Sequence, residues 1–263
     1  MTSEALPEAA KARPRARRVE PSDSALNHAA RADRALRTVA VALGVLIAAY
    51  VSFLMPSIEL PLKSAHAGVE GQSVLRRYGP ALAMLTLLPV LVAAMPAALP
   101  AKVRGPATAA AATGFTAFAF LSGNLGLYYF PVALLLWAAT IVPSLLRRGI
   151  GRVAARSWRL AAAAFIALPA LPAAAGLFTG DSGIVWAAVA LWVVGPIVLA
   201  ALCASGLRAG YAVTALAGAL VMIAALLDHG FLFAAFWLFA AVFLTIGASG
   251  LTAAWAQTRD GAE

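Results

Sequence analysis

The chain has one cysteine, three histidines and only three lysines in 263 residues. A lone Cys203 excludes an internal disulfide and any cysteine-pair metal site. It lies in an apolar run and reads as a small packing residue. Charge is scarce as well. Asp, Glu, Lys and Arg make up 12% of the residues, against about 25% in an ordinary soluble domain. No phosphate-cradling Walker loop, no HExxH zinc-protease helix and no GxSxG nucleophile elbow occurs. The polar stretches are too short to hold a nucleotide-binding or nucleic-acid-binding domain. No nucleic-acid partner and no cofactor is therefore expected.

What fills the chain is apolar. Hydrophobic residues are 62% of the total and the mean hydropathy is +0.87. No water-soluble body of this size can hide so much apolar surface. The expected class is an all-α integral membrane protein. A spanning helix needs about 20 apolar residues. Eight runs qualify: 38–55, 79–99, 106–122, 125–145, 160–178, 184–204, 210–227 and 231–254. Two long apolar stretches are divided by turn chemistry, at Ser122-Gly123-Asn124 and at Asp228-His229-Gly230.

Charge then orders the spans. With the N-terminus inside, 17 of the 20 Lys and Arg residues fall on cytoplasmic segments and three fall outside. That bias predicts cytoplasmic N- and C-termini in a plasma membrane. The organisation reads as a basic tail (1–37), a first four-helix unit (38–145), an Arg-rich linker (146–159), a second four-helix unit (160–254) and a short tail (255–263). A helix is expected to start near Ser22 or Ser24 and run into the first span. The tail holds Lys11-Ala-Arg-Pro-Arg-Ala-Arg-Arg18. It reads first as a topology signal and alternatively as a contact with anionic lipid. It lacks the layout of a secretory signal, because its apolar run starts late and is long.

The two units look like copies. Gly126-Leu-Tyr-Tyr-Phe-Pro and Gly230-Phe-Leu-Phe-Ala-Ala each open a span after a short polar turn, 104 residues apart. Arg104 and Arg208 share that offset. An even number of spans per unit makes such repeats parallel. A groove between the halves is then the default binding site.

No ionisable residue lies in the middle of a predicted span. Proton relays, voltage sensors and cation paths need such residues, so these functions are not expected. The candidate polar groups sit at the outer ends: Asp228, His229, Asn124, Tyr128, Tyr129 and Asp181. Asp228, Asn124 and Asp181 read first as helix caps. The chemical alternative makes Asp228 and His229 a proton-transfer or metal site. The outer loop 56–78 carries Glu59, His66 and Glu70, too few ligands for a zinc site. Pro89, Pro96, Pro169, Pro172 and Pro196 interrupt spans. Trp137, Trp192 and Trp237 lie deep enough to pack between helices.

Tyr78-Gly-Pro-Ala-Leu-Ala-Met, Lys102-Val-Arg104 and the hairpin Ser122 to Trp137 carry a resemblance. Over residues 40–145 the chain resembles uncharacterised multi-pass membrane proteins of actinobacteria. The resemblance implies a four-span unit and carries no activity. The leading functional expectation is a non-enzymatic accessory subunit or small permease-like protein for neutral or lipid-like cargo. Its partners are the lipid bilayer and a protein partner in a membrane complex. The alternative is a membrane enzyme acting on lipid-linked substrates at the outer face.

Overall fold

A computed structural model describes residues 23–55, 73–148, 152–178, 190–227 and 233–257. Helix α1 spans Asp23–Phe53, α2 Val74–Leu85, α3 Leu88–Ala98, α4 Ala101–Leu121, α5 Gly123–Tyr128 and α6 Phe130–Arg148. Helix α7 spans Arg152–Ala167 and α8 Ala170–Phe178. A π-helical turn, Ala190–Val194, leads into α9, Gly195–Ser205. Helices α10, Arg208–Leu227, and α11, Phe233–Gln257, complete the set. There is no strand among the described residues.

Among the described residues four helical segments are long and apolar enough to cross a membrane: Ala25–Phe53, Phe130–Arg148, Arg208–Leu227 and Ala234–Ala254. Their outward faces fit lipid. Leu46 is 67% exposed and Leu227 80%. In water an apolar surface of that kind drives association; in a bilayer it costs nothing.

Predicted spans 79–99 and 160–178 emerge as shorter pieces, while of 184–204 the described part, from residue 190, is one continuous helical stretch. Proline explains each interruption. Pro89 has no N–H for the Leu85 carbonyl, and α2 ends at Leu85. Pro169 cannot serve the Phe165 carbonyl, which instead accepts the Leu168 N–H at 3.4 Å. Pro196 follows the π-helical turn. Helix α4 is long enough at 21 residues. Its Lys102, Arg104 and three threonines make it less apolar than the four.

Helix α1 begins at Asp23 and carries its buried face well below the predicted span boundary at 38. Ala29, Ala32, Leu36 and Ala40 are almost fully buried, at the three- and four-residue spacing of one helix face. Residues 23–37, read from sequence as tail, thus contain part of the packed body.

In the first half α1 packs on α3, α3 on α4, α4 on α6, and α6 back on α1. In the second half α7 packs on α9, α9 on α10, α10 on α11, and α11 on α7. The halves meet where α11 lies against α1 and α6. The main core fills α1, α4, α6 and part of α11. A smaller core joins α7, α9, α10 and α11 around Ile166 and Cys203.

Candidate functional site

At one end of the bundle, aromatic residues close the packing with directed hydrogen bonds. Pro131 stands four residues after Leu127 and has no N–H to give its carbonyl. Trp237 of α11 supplies the missing donor, its Nε1 donating to the Leu127 carbonyl at 2.9 Å. Its ring meets Tyr128 edge-on at 5.7 Å, and Tyr128 in turn meets Tyr50 at 5.8 Å. Tyr129 donates its hydroxyl to the Thr86 carbonyl at 2.8 Å, at the break between α2 and α3. Ser52 and Thr86 share a hydrogen bond of 2.7 Å. Tyr50 donates to the Leu226 carbonyl at the end of α10, at 3.3 Å. In a low-dielectric interior every such carbonyl needs a donor.

This placement corrects the expectation for two residues. Tyr128 and Tyr129, read as part of an outer-face polar cluster, are 2% and 1% exposed. Their work is packing and helix-break satisfaction. Asn124 is the second residue of short helix α5, not the residue preceding the long helix α6. Asp228, His229, Asp181, Glu59, His66 and Glu70 lie outside the described residues. No group of three or more His, Cys, Asp or Glu side chains that could hold a metal occurs among the described residues. Trp137 donates to the Thr116 hydroxyl at 3.1 Å and ties α6 to α4. Trp192 stacks on Phe236 at 4.6 Å.

At the opposite end a crevice of about 200 Å³ opens between the halves. Ile141, Val142 and Leu145 of α6 form one wall. Trp158 and Arg159 of α7 form the second, and Ser249, Gly250 and Ala253 of α11 the third. Tyr211 of α10 lies between them and is buried. The lining is apolar apart from Arg159, Ser249 and the Tyr211 hydroxyl.

Arg159 is positioned by a turn. Helix α9 ends at Gly206 in the left-handed region, with φ 73° and its N–H on the Cys203 carbonyl at 3.0 Å. A side chain at Gly206 would meet Arg159: a Cβ there would sit 2.5 Å from Nη1. The guanidinium therefore lies against the C-terminal end of α9, where the helix dipole favours a cation. Behind it, Cys203 shares a buried 3.1 Å contact with the Thr214 hydroxyl. That is a packing role, as the sequence reading held.

The fold and crevice define a class: a protein whose described residues form helices throughout, four of them apolar and of membrane length, with an apolar cleft between two helical groups. No family model, curated protein or solved structure matches the chain.

Sequence reasoning anticipated a groove between halves but named none of its lining residues. Arg159 was counted there as one of five linker arginines. The signal that could have singled it out is the pairing of a half-buried arginine with a glycine-capped turn, which no linear spacing displays.

Proposed function

We propose that the chain is a plasma-membrane protein of eight spans in two parallel four-helix units, with both termini cytoplasmic. It works as a small permease-like protein for lipid-like cargo. The crevice between the halves carries the reading. Its apolar walls suit an acyl or prenyl chain, and Arg159 and Tyr211 at its edge suit a polar head. The like order of neighbours in the two halves supports the repeat. Two contacts are in keeping with alternating chain direction: Tyr50 near the end of α1 reaches Leu226 near the end of α10, and Arg208 at the start of α10 reaches Ala254 in α11. Positive charge on the same segments supports the orientation.

The test is reconstitution of the purified chain in liposomes with a fluorescent lipid probe. Probe movement across the bilayer is expected, and Ala253→Trp is expected to abolish it without lowering the unfolding temperature. No movement by the folded protein would sink the permease reading. Recovery of the chain only in a stoichiometric complex would favour the accessory-subunit role instead. Orientation is tested in a Cys203→Ala background: a cysteine at 66 should react with an impermeant reagent from outside, and one at 150 should not. The reverse pattern would overturn the assignment.

A further inference from the structure

A second cavity, of about 610 Å³, lies between the first part of α1, the end of α3 and the start of α4. Its floor is made of small residues, Ala93, Ala94 and Ala97. Its polar lining is Asp33, Arg34, Arg37, Thr38 and Arg104. Three arginines and one carboxylate thus line one space.

Arg37 is the unusual member. It is 6% exposed and forms an ion pair with Asp33 one helical turn earlier. Its Nε donates to the Asp33 backbone carbonyl at 3.3 Å. Its Nη1 has no hydrogen-bond partner. A buried guanidinium N–H left without an acceptor is costly, and the residue bearing it lines an open volume. Arg104 is held in place beside that volume. Its Nε and Nη2 both donate to the Leu99 carbonyl, at 3.3 and 3.0 Å, where Pro100 begins the turn into α4. Arg34, one residue on from Asp33, is exposed and completes the rim.

We propose that this pocket is an anion site that binds a phosphate group, with Arg37 Nη1 and the Arg104 and Arg34 guanidinium groups as donors. The surplus of positive charge and the planar forks of arginine match a phosphate. The surrounding helix ends place the site where a helix bundle meets the membrane surface. The phosphate belongs either to an anionic lipid headgroup or to a soluble phosphorylated solute. The site is separate from the crevice lined by Arg159, so the two proposals stand or fall independently.

The experiment uses the full chain in nanodiscs and reads the unfolding temperature. One arm titrates inorganic phosphate into discs of neutral phosphatidylcholine. The other compares discs containing phosphatidylglycerol with neutral discs. A rise in the first arm identifies a soluble phosphate ligand, and a rise confined to the second identifies a lipid headgroup. Arg37→Gln and Arg104→Gln are expected to weaken the response about tenfold or more, as loss of a charge-assisted hydrogen bond should. Arg34→Gln, at an exposed position, tests the site without threatening the fold, and Arg159→Gln should keep the full response. No rise in either arm overturns the proposal. So does a rise that is undiminished in Arg34→Gln and Arg104→Gln.

Discussion

The two halves share an order of neighbours but not a means of adhesion. In the second half α10 and α11 meet through glycine. A Cβ on Gly218 would lie 2.5 Å from the Leu244 nitrogen and 2.7 Å from the Ala240 carbonyl oxygen. One on Gly247 would lie 2.7 Å from the Ala215 Cα. Backbone rests on backbone there. In the first half the one close glycine lies inside a hairpin: a Cβ on Gly126 of α5 would meet the α4 backbone, 2.9 Å from the Ala119 Cα. Gly44 of α1 faces only the side chains of Val90 and Val132, at 3.6 and 3.8 Å. Its long helices are joined by aromatic rings, by the Tyr129 hydroxyl on the Thr86 carbonyl and by the Trp137 indole on the Thr116 hydroxyl, and the Trp237 indole on the Leu127 carbonyl ties that half to the other. Both devices answer one condition. Lipid is as apolar as leucine, so helices associate through close dispersion contact or through internal hydrogen bonds.

Substitutions can separate the two devices. Gly218→Leu or Gly247→Leu should do most harm, costing about 1–3 kcal/mol or more through overpacking. Reversible unfolding in detergent would measure the loss; a near-neutral result would refute the close seam. Trp237→Phe should rank next. It keeps most of the ring but orphans the Leu127 carbonyl, at a cost of about 1–3 kcal/mol. Equal stability of that variant and the parent would show that the indole bond carries nothing. Tyr129→Phe removes one hydroxyl donor to Thr86 and should cost about 1 kcal/mol. Its effect should vanish in a chain already carrying a disrupted break at 86–87, which a double-mutant cycle reads. Gly114→Ala in α4 marks the lower limit. Nothing lies within 4 Å of its Cβ position, so no loss is expected, and helix propensity favours a gain below about 1 kcal/mol. A large loss there would mean that this face of α4 relies on unseen close contacts.

Much of this fold was legible in composition and period. Apolar runs announced helices, Ser122 marked the break between α4 and α5, and Trp137 and Trp237 pack inside as their depth required. The tyrosines misled because a Tyr beside a polar turn ordinarily marks a membrane surface. The acceptor of Tyr129 lies 43 positions away in the chain, and the indole that covers Tyr128 about 110. Proline positions were visible, yet not which breaks they would cause, since a helix tolerates proline in its first turn. Arg37 was visible only as a count in a charge asymmetry, and Arg104 only as a repeat and resemblance marker. Their convergence on one cavity depends on α1 continuing as a packed helix below residue 38.

The indole of Trp237 on the Leu127 carbonyl also orders events during synthesis. Residue 127 leaves the ribosome 110 residues before its donor does. Until α11 is made, the Leu127 carbonyl of α5 lacks its indole donor, and the face of Tyr128 that Trp237 covers stays open. Helix α1 likewise waits for α11, against which it packs. The early half therefore reaches its final form only when the late half has been translated. A nascent chain stopped after residue 148 should be recognisably unfinished to a membrane quality-control protease.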